Sequence, residues 1–260
     1  MPHLSCLIWL TLCCIAPVQA QNNLPRLTLR PGITTMACRP KVKIYPEPNR
    51  QAMALGYIQM GERVRIEENT QLVEAFDGLF HFWYKVSIGQ DTGYVLGAHL
   101  AVDYFETTNG LKHIIQLKQP SEGHPDQVDM DIISIRAAGQ EPVGTLSTRL
   151  TFEPNDILTA KVYNNRGLKK YDQVIILERW IDQCPYYIQE TALLYKAGTF
   201  TILPTTAKGK SGCTSYSYIF PSHYNGLPDI IQLETTTDTL PSQIIRFHEM
   251  SPGLFLPVKE

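Results

Sequence analysis

Phe247-His248-Glu249-Met250-Ser251-Pro252 opens like the helix of a zinc protease, which needs a second histidine four positions after the first. That position is Pro252, so the ligand pair cannot form. Gly209-Lys210-Ser211 has the ending of a phosphate-binding loop, yet Pro204 stands where such a loop needs its first glycine, and no strand-to-helix pattern surrounds it. Asp126, Asp129 and Asp131 lie close enough to share a Ca²⁺, but the stretch lacks the glycine and terminal glutamate of a calcium loop and reads as a solvated turn. The histidines His3, His81, His99, His113, His124, His223 and His248 are scattered without ligand spacing, and no Cys-x-x-Cys is present. Neither is a G-x-S-x-G nucleophile turn. The expectation is therefore no metal, no cofactor and no catalytic residue.

The cysteines take their meaning from the N-terminus. MPHLSCLIWLTLCCIAPVQA is apolar from Leu4 to Ala16, then runs through Pro17 to Val18-Gln19-Ala20 before Gln21, the small-residue pattern of a leader-peptidase site. Residues 1–20 read as a signal peptide, although no Lys or Arg precedes the apolar run. Leu12 is too bulky for the small residue that lipid-modification sites place before a cysteine, which argues against lipidation at Cys13. Export to a periplasmic or extracellular location would remove Cys6, Cys13 and Cys14 and place Cys38, Cys184 and Cys213 in an oxidising compartment. A Cys184–Cys213 disulfide is then expected, contributing ~3.5 kcal/mol by chain entropy, with Cys38 left over. The alternative, all three reduced and buried, stays open because spacing does not establish disulfide geometry.

With 260 residues, 43% hydrophobic and 18% charged, the chain has an ordinary globular composition and length for one large or two modest cores. A formal net charge of −2 and the absence of any run of five like charges provide no field for phosphates, so nucleic acid is not an expected partner. Beyond the leader, no apolar run reaches the ~18 residues of a membrane-spanning helix.

Behind these residues the elements read as strands. Arg63-Val64-Arg65-Ile66-Glu67, Trp83-Tyr84-Lys85-Val86-Ser87-Ile88 and Thr199-Phe200-Thr201-Ile202-Leu203 alternate or are β-branched, and seventeen glycines and eighteen prolines punctuate the chain. The sequence predicts an all-β protein.

Residues 35–103 contain Val42 to Asn49 (VKIYPEPN), Ala54 to Glu68 (ALGYIQMGERVRIEE), Phe82 to Gly89 (FWYKVSIG) and Thr92 to Val102 (TGYVLGAHLAV) in order. This order resembles the bacterial SH3 domain over about a quarter of the chain. Val42 and Pro46 match its opening, Gly56, Gly61 and Val64 its second segment, Trp83 its W-x-K-V strand, and Tyr94 and Leu100 its closing aromatic and leucine. Lys43 and Tyr45 depart from the usual Arg and Gly. The resemblance implies a small SH3-like barrel, an exported or envelope protein, and recognition of peptidoglycan, its peptides or a protein. It points to Tyr45, Trp83 and Tyr94 as aromatic contact residues, with core filling as the alternative for Trp83 and Tyr94.

Residues 104–260 carry an internal repeat, following an N-terminal linker at 21–34 and the SH3-like segment. Asn109 to Lys118 (NGLKHIIQLK) returns as Asn225 to Glu234 (NGLPDIIQLE), with a degraded copy from Arg166-Gly167-Leu168 to Glu178. Each copy precedes a similar hairpin pattern: Ile132 to Leu146, Ala192 to Pro204, and Ile244 to Pro257. The quoted stretch is expected to start a β unit, and a period of about 58 residues suits a propeller-like arc or a β-sandwich.

The functional expectation is a non-catalytic exported protein that binds a cell-wall polymer or an envelope protein. Tyrosines beside the later cysteines, Tyr186-Tyr187 and Tyr216-Ser217-Tyr218, add binding surface. The alternatives are an envelope hydrolase targeted by the SH3-like segment, with unrecognised C-terminal Asp, Glu or Cys chemistry, and a scaffold without polymer affinity.

Overall fold

The computed structural model describes residues 28–119, 127–136, 142–151, 157–181, 187–203, 206–209, 214–224, 226–237, 243–251 and 254–257. The expected leader at 1–20 lies outside them, as do Cys184 and Cys213 and therefore the expected disulfide. The described chain is all-β and antiparallel, as its alternating and β-branched runs require.

The first sheet has the order β1 (Thr34–Met36), β4 (Arg63–Phe76), β5 (Leu79–Ile88), β6 (Asp91–Leu96), and β2 (Val42–Ile44) with β3 (Gly56–Ile58) forms a separate two-stranded ribbon. Asp77-Gly78, both at positive φ (48° and 76°), make the two-residue turn between β4 and β5, a conformation that Asp tolerates and Gly adopts freely. Further along the hairpin Asn69 pairs with Tyr84 and Val73 with Phe82, so residues 70–72 bulge opposite Trp83, and Gln71 takes φ 61°. The expected barrel does not close. Among the described residues, ribbon and sheet are bridged at Tyr45 and Tyr94 alone, so the strands do not close on themselves.

Three meandering sheets follow, two of four strands and one of five. The second sheet comprises β7 (Asp103–Glu106), β8 (Lys112–Lys118), β9 (Gln127–Ile135) and β10 (Gly144–Thr151). The third comprises β11 (Ile157–Asn164), β12 (Gln173–Ile181), β13 (Tyr187–Lys196) and β14 (Thr199–Ile202), with β15 (Thr206–Gly209) also paired to β13. The fourth comprises β16 (Thr214–Ile219), β17 (Ile230–Thr237), β18 (Gln243–Ser251) and β19 (Leu254–Pro257). The repeated apolar run forms β8, β12 and β17, and the three matching hairpins follow it in each sheet. It is the second strand of its unit, not the first: β7, β11 and β16 precede it with sequences that share no pattern.

Alternation along these strands stacks the sheets. Ile133 and Ile135 on β9 pack with Ile114 against Met36, Cys38, Met60 and Ala101 of the first sheet region. Val128, Met130 and Ile132, on the other face of β9, join Ile175, Leu177, Leu193 and Tyr195 of the third sheet. Val174, Ile176, Ala192 and Leu194 then meet Tyr218, Phe220 and Ile231 of the fourth. Strands covered on both faces bury consecutive residues, which is why the repeat reads Ile-Ile rather than apolar-polar, each side chain contributing about 1.5–3 kcal/mol of burial. The largest cluster runs without a break from Leu29 through Val102 to Tyr195, so one core joins the first sheet to the next two.

Candidate functional site

The first sheet and the ribbon bridged to it bring together all three expected contact residues. Trp83 is 2% exposed, and its indole Nε1–H donates to Glu74 Oε2 at 2.9 Å. Tyr45, 7% exposed, meets the Trp83 ring edge-on with centroids 5.7 Å apart. Tyr94 is half-buried and packs beside them with Ala52 and Phe76 around a cluster completed by Leu96 and Ala98. Trp83 and Tyr45 therefore form the floor of this end of the sheet, and Tyr94 alone among the three keeps appreciable surface.

Above that floor lies a feature that sequence reasoning missed. Residues 52–57 lead from a turn into β3, with the half-buried Ala52, Ala54 and Gly56 alternating with Met53, Leu55 and Tyr57, which are 89%, 61% and 58% exposed. This reverses the usual sense of a half-buried strand, in which large apolar residues face the core. The period-2 pattern Met53-x-Leu55-x-Tyr57 was visible in the sequence, but alternation alone does not say which face is solvent.

The arm is held at several points. Arg50 pairs through Nε with Glu74 and reaches the Ala75 carbonyl through Nη2 at 3.4 Å, while the Leu55 N–H donates to the Ile44 carbonyl at 2.8 Å. Gly93 permits the close approach: a Cβ there would lie 2.3 Å from Ile44 Cγ2 and 2.9 Å from the Tyr45 carbonyl. Beyond the arm the bulge on β4 exposes Leu72 and Val73, and Thr70 Oγ1 donates to the Trp83 carbonyl at 2.8 Å.

The hairpin end of the same sheet is polar. The Arg39 and Arg50 guanidinium carbons lie 5.0 and 5.5 Å from the Phe76 ring centroid, and His99 meets that ring edge-on at 4.8 Å. Arg39 Nη2 pairs with Asp77 Oδ2 at 2.6 Å. Burial pushes His81 and His99 down to about 4, with Arg39 adding to the effect in both.

A second imidazole site lies between the second and third sheets. His113 Nδ1 is 2.9 Å from Ser134 Oγ and its Nε2 is 3.0 Å from Thr107 Oγ1, while its ring stacks on Phe105 at 4.9 Å. A hydroxyl and an imidazole at this distance have the geometry of a nucleophile and its base. Here both hydroxyls and the ring are buried, so the chain of hydrogen bonds fixes the turn before β8.

Cys38 is buried, its S–H directed at the Ala98 carbonyl at 3.7 Å, and burial pushes its thiol up to about 12. Asp131 is paired with Lys118 at 2.7 Å and accepts from Ser147 at 2.6 Å, whereas Asp126 lies outside the described residues. Among the described residues no three His, Cys, Asp or Glu side chains gather as metal ligands, and no helix is long and apolar enough to cross a membrane. The chain matches no protein-family model, no curated protein and no solved structure.

Proposed function

We propose that this chain is an exported, non-catalytic binding protein of the cell envelope, using its SH3-like first sheet to recognise peptidoglycan, its peptides or an envelope protein. The observation that carries the reading is the inverted arm: Met53, Leu55 and Tyr57 stand outward in a row on a backbone clamped to a buried aromatic floor. Three large apolar side chains exposed on one short segment are an interaction surface in waiting, and clamping lowers the entropy lost when it binds. Lys43, cross-strand from Tyr57 and also exposed, adds one cation to that face. The leader at residues 1–20 and the SH3-like order of motifs support the envelope setting.

The test is sedimentation of the purified chain with peptidoglycan sacculi. The whole chain is needed, because the main cluster crosses Val102 and a cut there would open it. Pelleting with sacculi, lost in the Met53→Ser/Leu55→Ser/Tyr57→Ser variant, is the expected result. No pelleting of the unaltered chain would turn the search to a protein partner, and soluble muropeptides released during incubation would overturn the non-catalytic reading in favour of a hydrolase.

A further inference from the structure

At the hairpin end of the first sheet, away from the outward face of the arm, three polar atoms lack hydrogen-bond partners among the described residues: Arg39 Nε, His81 Nδ1 and His99 Nδ1. All three are buried, and His81 as a residue is only 6% exposed. They gather around Phe76: the Arg39 guanidinium carbon lies 5.0 Å and the His99 ring 4.8 Å from its ring centroid, and His81 is cross-strand from Glu74, two residues before Phe76. Leaving buried polar atoms unpaired is costly, so three in one place mark a position built to hold a polar group.

The chemistry of the three atoms narrows that group. Arg39 Nε–H can only donate. Arg39 already gives Nη2 to Asp77, leaving its inward Nε edge for something else. His81 Nδ1 is without a partner among the described residues, and in the charged ring that nitrogen carries a proton and becomes a donor. The charged groups facing the two rings are Arg39 from the segment before β2, Arg50 from the arm, and Asp77 from the β4–β5 turn, with Glu74 already engaged by Arg50 and Trp83. At His99 the surrounding charges disfavour a proton, and only Asp77 opposes them.

We infer that Arg39, His81 and His99 form a binding site for a small oxyanion, a carboxylate or a phosphate, which enters beside the half-exposed Arg39 and takes up protons onto the two imidazoles as it binds. In the charged rings Nδ1–H becomes a donor, so one oxyanion satisfies all three atoms at once and offsets the positive field of Arg39 and Arg50. Binding and protonation are reciprocal: the anion raises the proton affinity of the rings by the factor by which protons raise the affinity for the anion.

Ring signals of His81 and His99 in the full chain, followed by NMR from pH 7.5 downward, read this directly. Runs at equal ionic strength would use sodium chloride, sodium acetate or inorganic phosphate. Acetate or phosphate is expected to raise both titration midpoints relative to chloride, with a tenfold gain in anion affinity for each pH unit by which a midpoint moves. Whichever anion does so identifies a carboxylate or a phosphate as the occupant. Arg39→Lys, which keeps the charge but removes Nε–H, should abolish the rise. Asp77→Asn, at an exposed turn position, should enlarge it by removing a competing carboxylate and serves if Arg39→Lys fails to fold. Midpoints unchanged by both anions would overturn the site and assign the three atoms to shared water, as would an anion effect that survives Arg39→Lys.

Discussion

Tyr45 and Tyr94 exchange both backbone hydrogen bonds, Tyr45 N–H to the Tyr94 carbonyl at 3.0 Å and the reverse at 2.8 Å, and this one bridge ties the β2–β3 ribbon to the first sheet. Gly93 stands beside it with no room for a side chain. Gly93→Ala should cost about 1–3 kcal/mol, because the added methyl meets Ile44 and the Tyr45 backbone rather than a flexible side-chain end. Urea unfolding checks this. An unchanged midpoint would show that the ribbon shifts freely.

Trp83 separates floor from contact surface. Trp83→Ala should destabilise the chain by about 3–5 kcal/mol, since it empties a fully enclosed site and strands Glu74 Oε2. By contrast, Met53→Ser, Leu55→Ser and Tyr57→Ser should each change stability by no more than about 0.5 kcal/mol, because their side chains already face water. Thermal melts of the four variants decide between the two roles.

Acid should weaken the fold through its buried imidazoles. His81, His99 and His113 ordinarily titrate at 6.5, and burial lowers each to about 4 in the folded chain. Between those values the unfolded chain binds more protons, so stability falls as pH drops from 6.5 toward 4, levels off below, and is fully present above 6.5. For His113 alone the full loss is about 3 kcal/mol. Urea midpoints at pH 7 and pH 5 provide the comparison, with a lower midpoint at pH 5 expected. Equal midpoints would mean that these rings are not held neutral.

Cys38 should resist alkylation in the native state. With the thiol raised to about 12, the thiolate at pH 8 is scarcer than in a free peptide by roughly a thousandfold, and burial adds a steric barrier. Mass spectrometry of the Cys38 peptide after iodoacetamide treatment, with and without denaturant, measures it. Rapid native labelling would place this thiol at the surface.

Much of the architecture was legible because a sheet writes its periodicity into the chain. Ile114-Ile115, Ile175-Ile176 and Ile230-Ile231 announced the three repeated strands, and the hairpins after them fell where the apolar patterns put them. That each stretch is the second strand was not legible: β7, β11 and β16 are held by backbone pairing to neighbours and by a single apolar face, so their sequences were free to diverge. Non-closure was not legible either: the ribbon meets the sheet at one bridge, Tyr45 with Tyr94, which only the folded chain displays. Tyr45, Trp83 and Tyr94 were named as contact residues by their types, and the fold brings them together, but type does not reveal that Glu74 and Tyr45 enclose the indole. The hairpin-end cluster was invisible because Arg39, His81 and His99 come from three separate segments that only the folded sheet brings together.

The last sheet of the stack carries a consequence for how copies of this chain meet. Ile231 and Leu233 face the third sheet, so the opposite side of β17 and β18 carries the half-buried Glu234 and Arg246 beside the buried Gln232 and the exposed Ile244. Another sheet laid there would have to strip water from a carboxylate and a guanidinium set on that surface, a desolvation cost of several kcal/mol per ion before any gain. End-to-end polymerisation is thereby discouraged at a place where a repeating architecture would otherwise invite it.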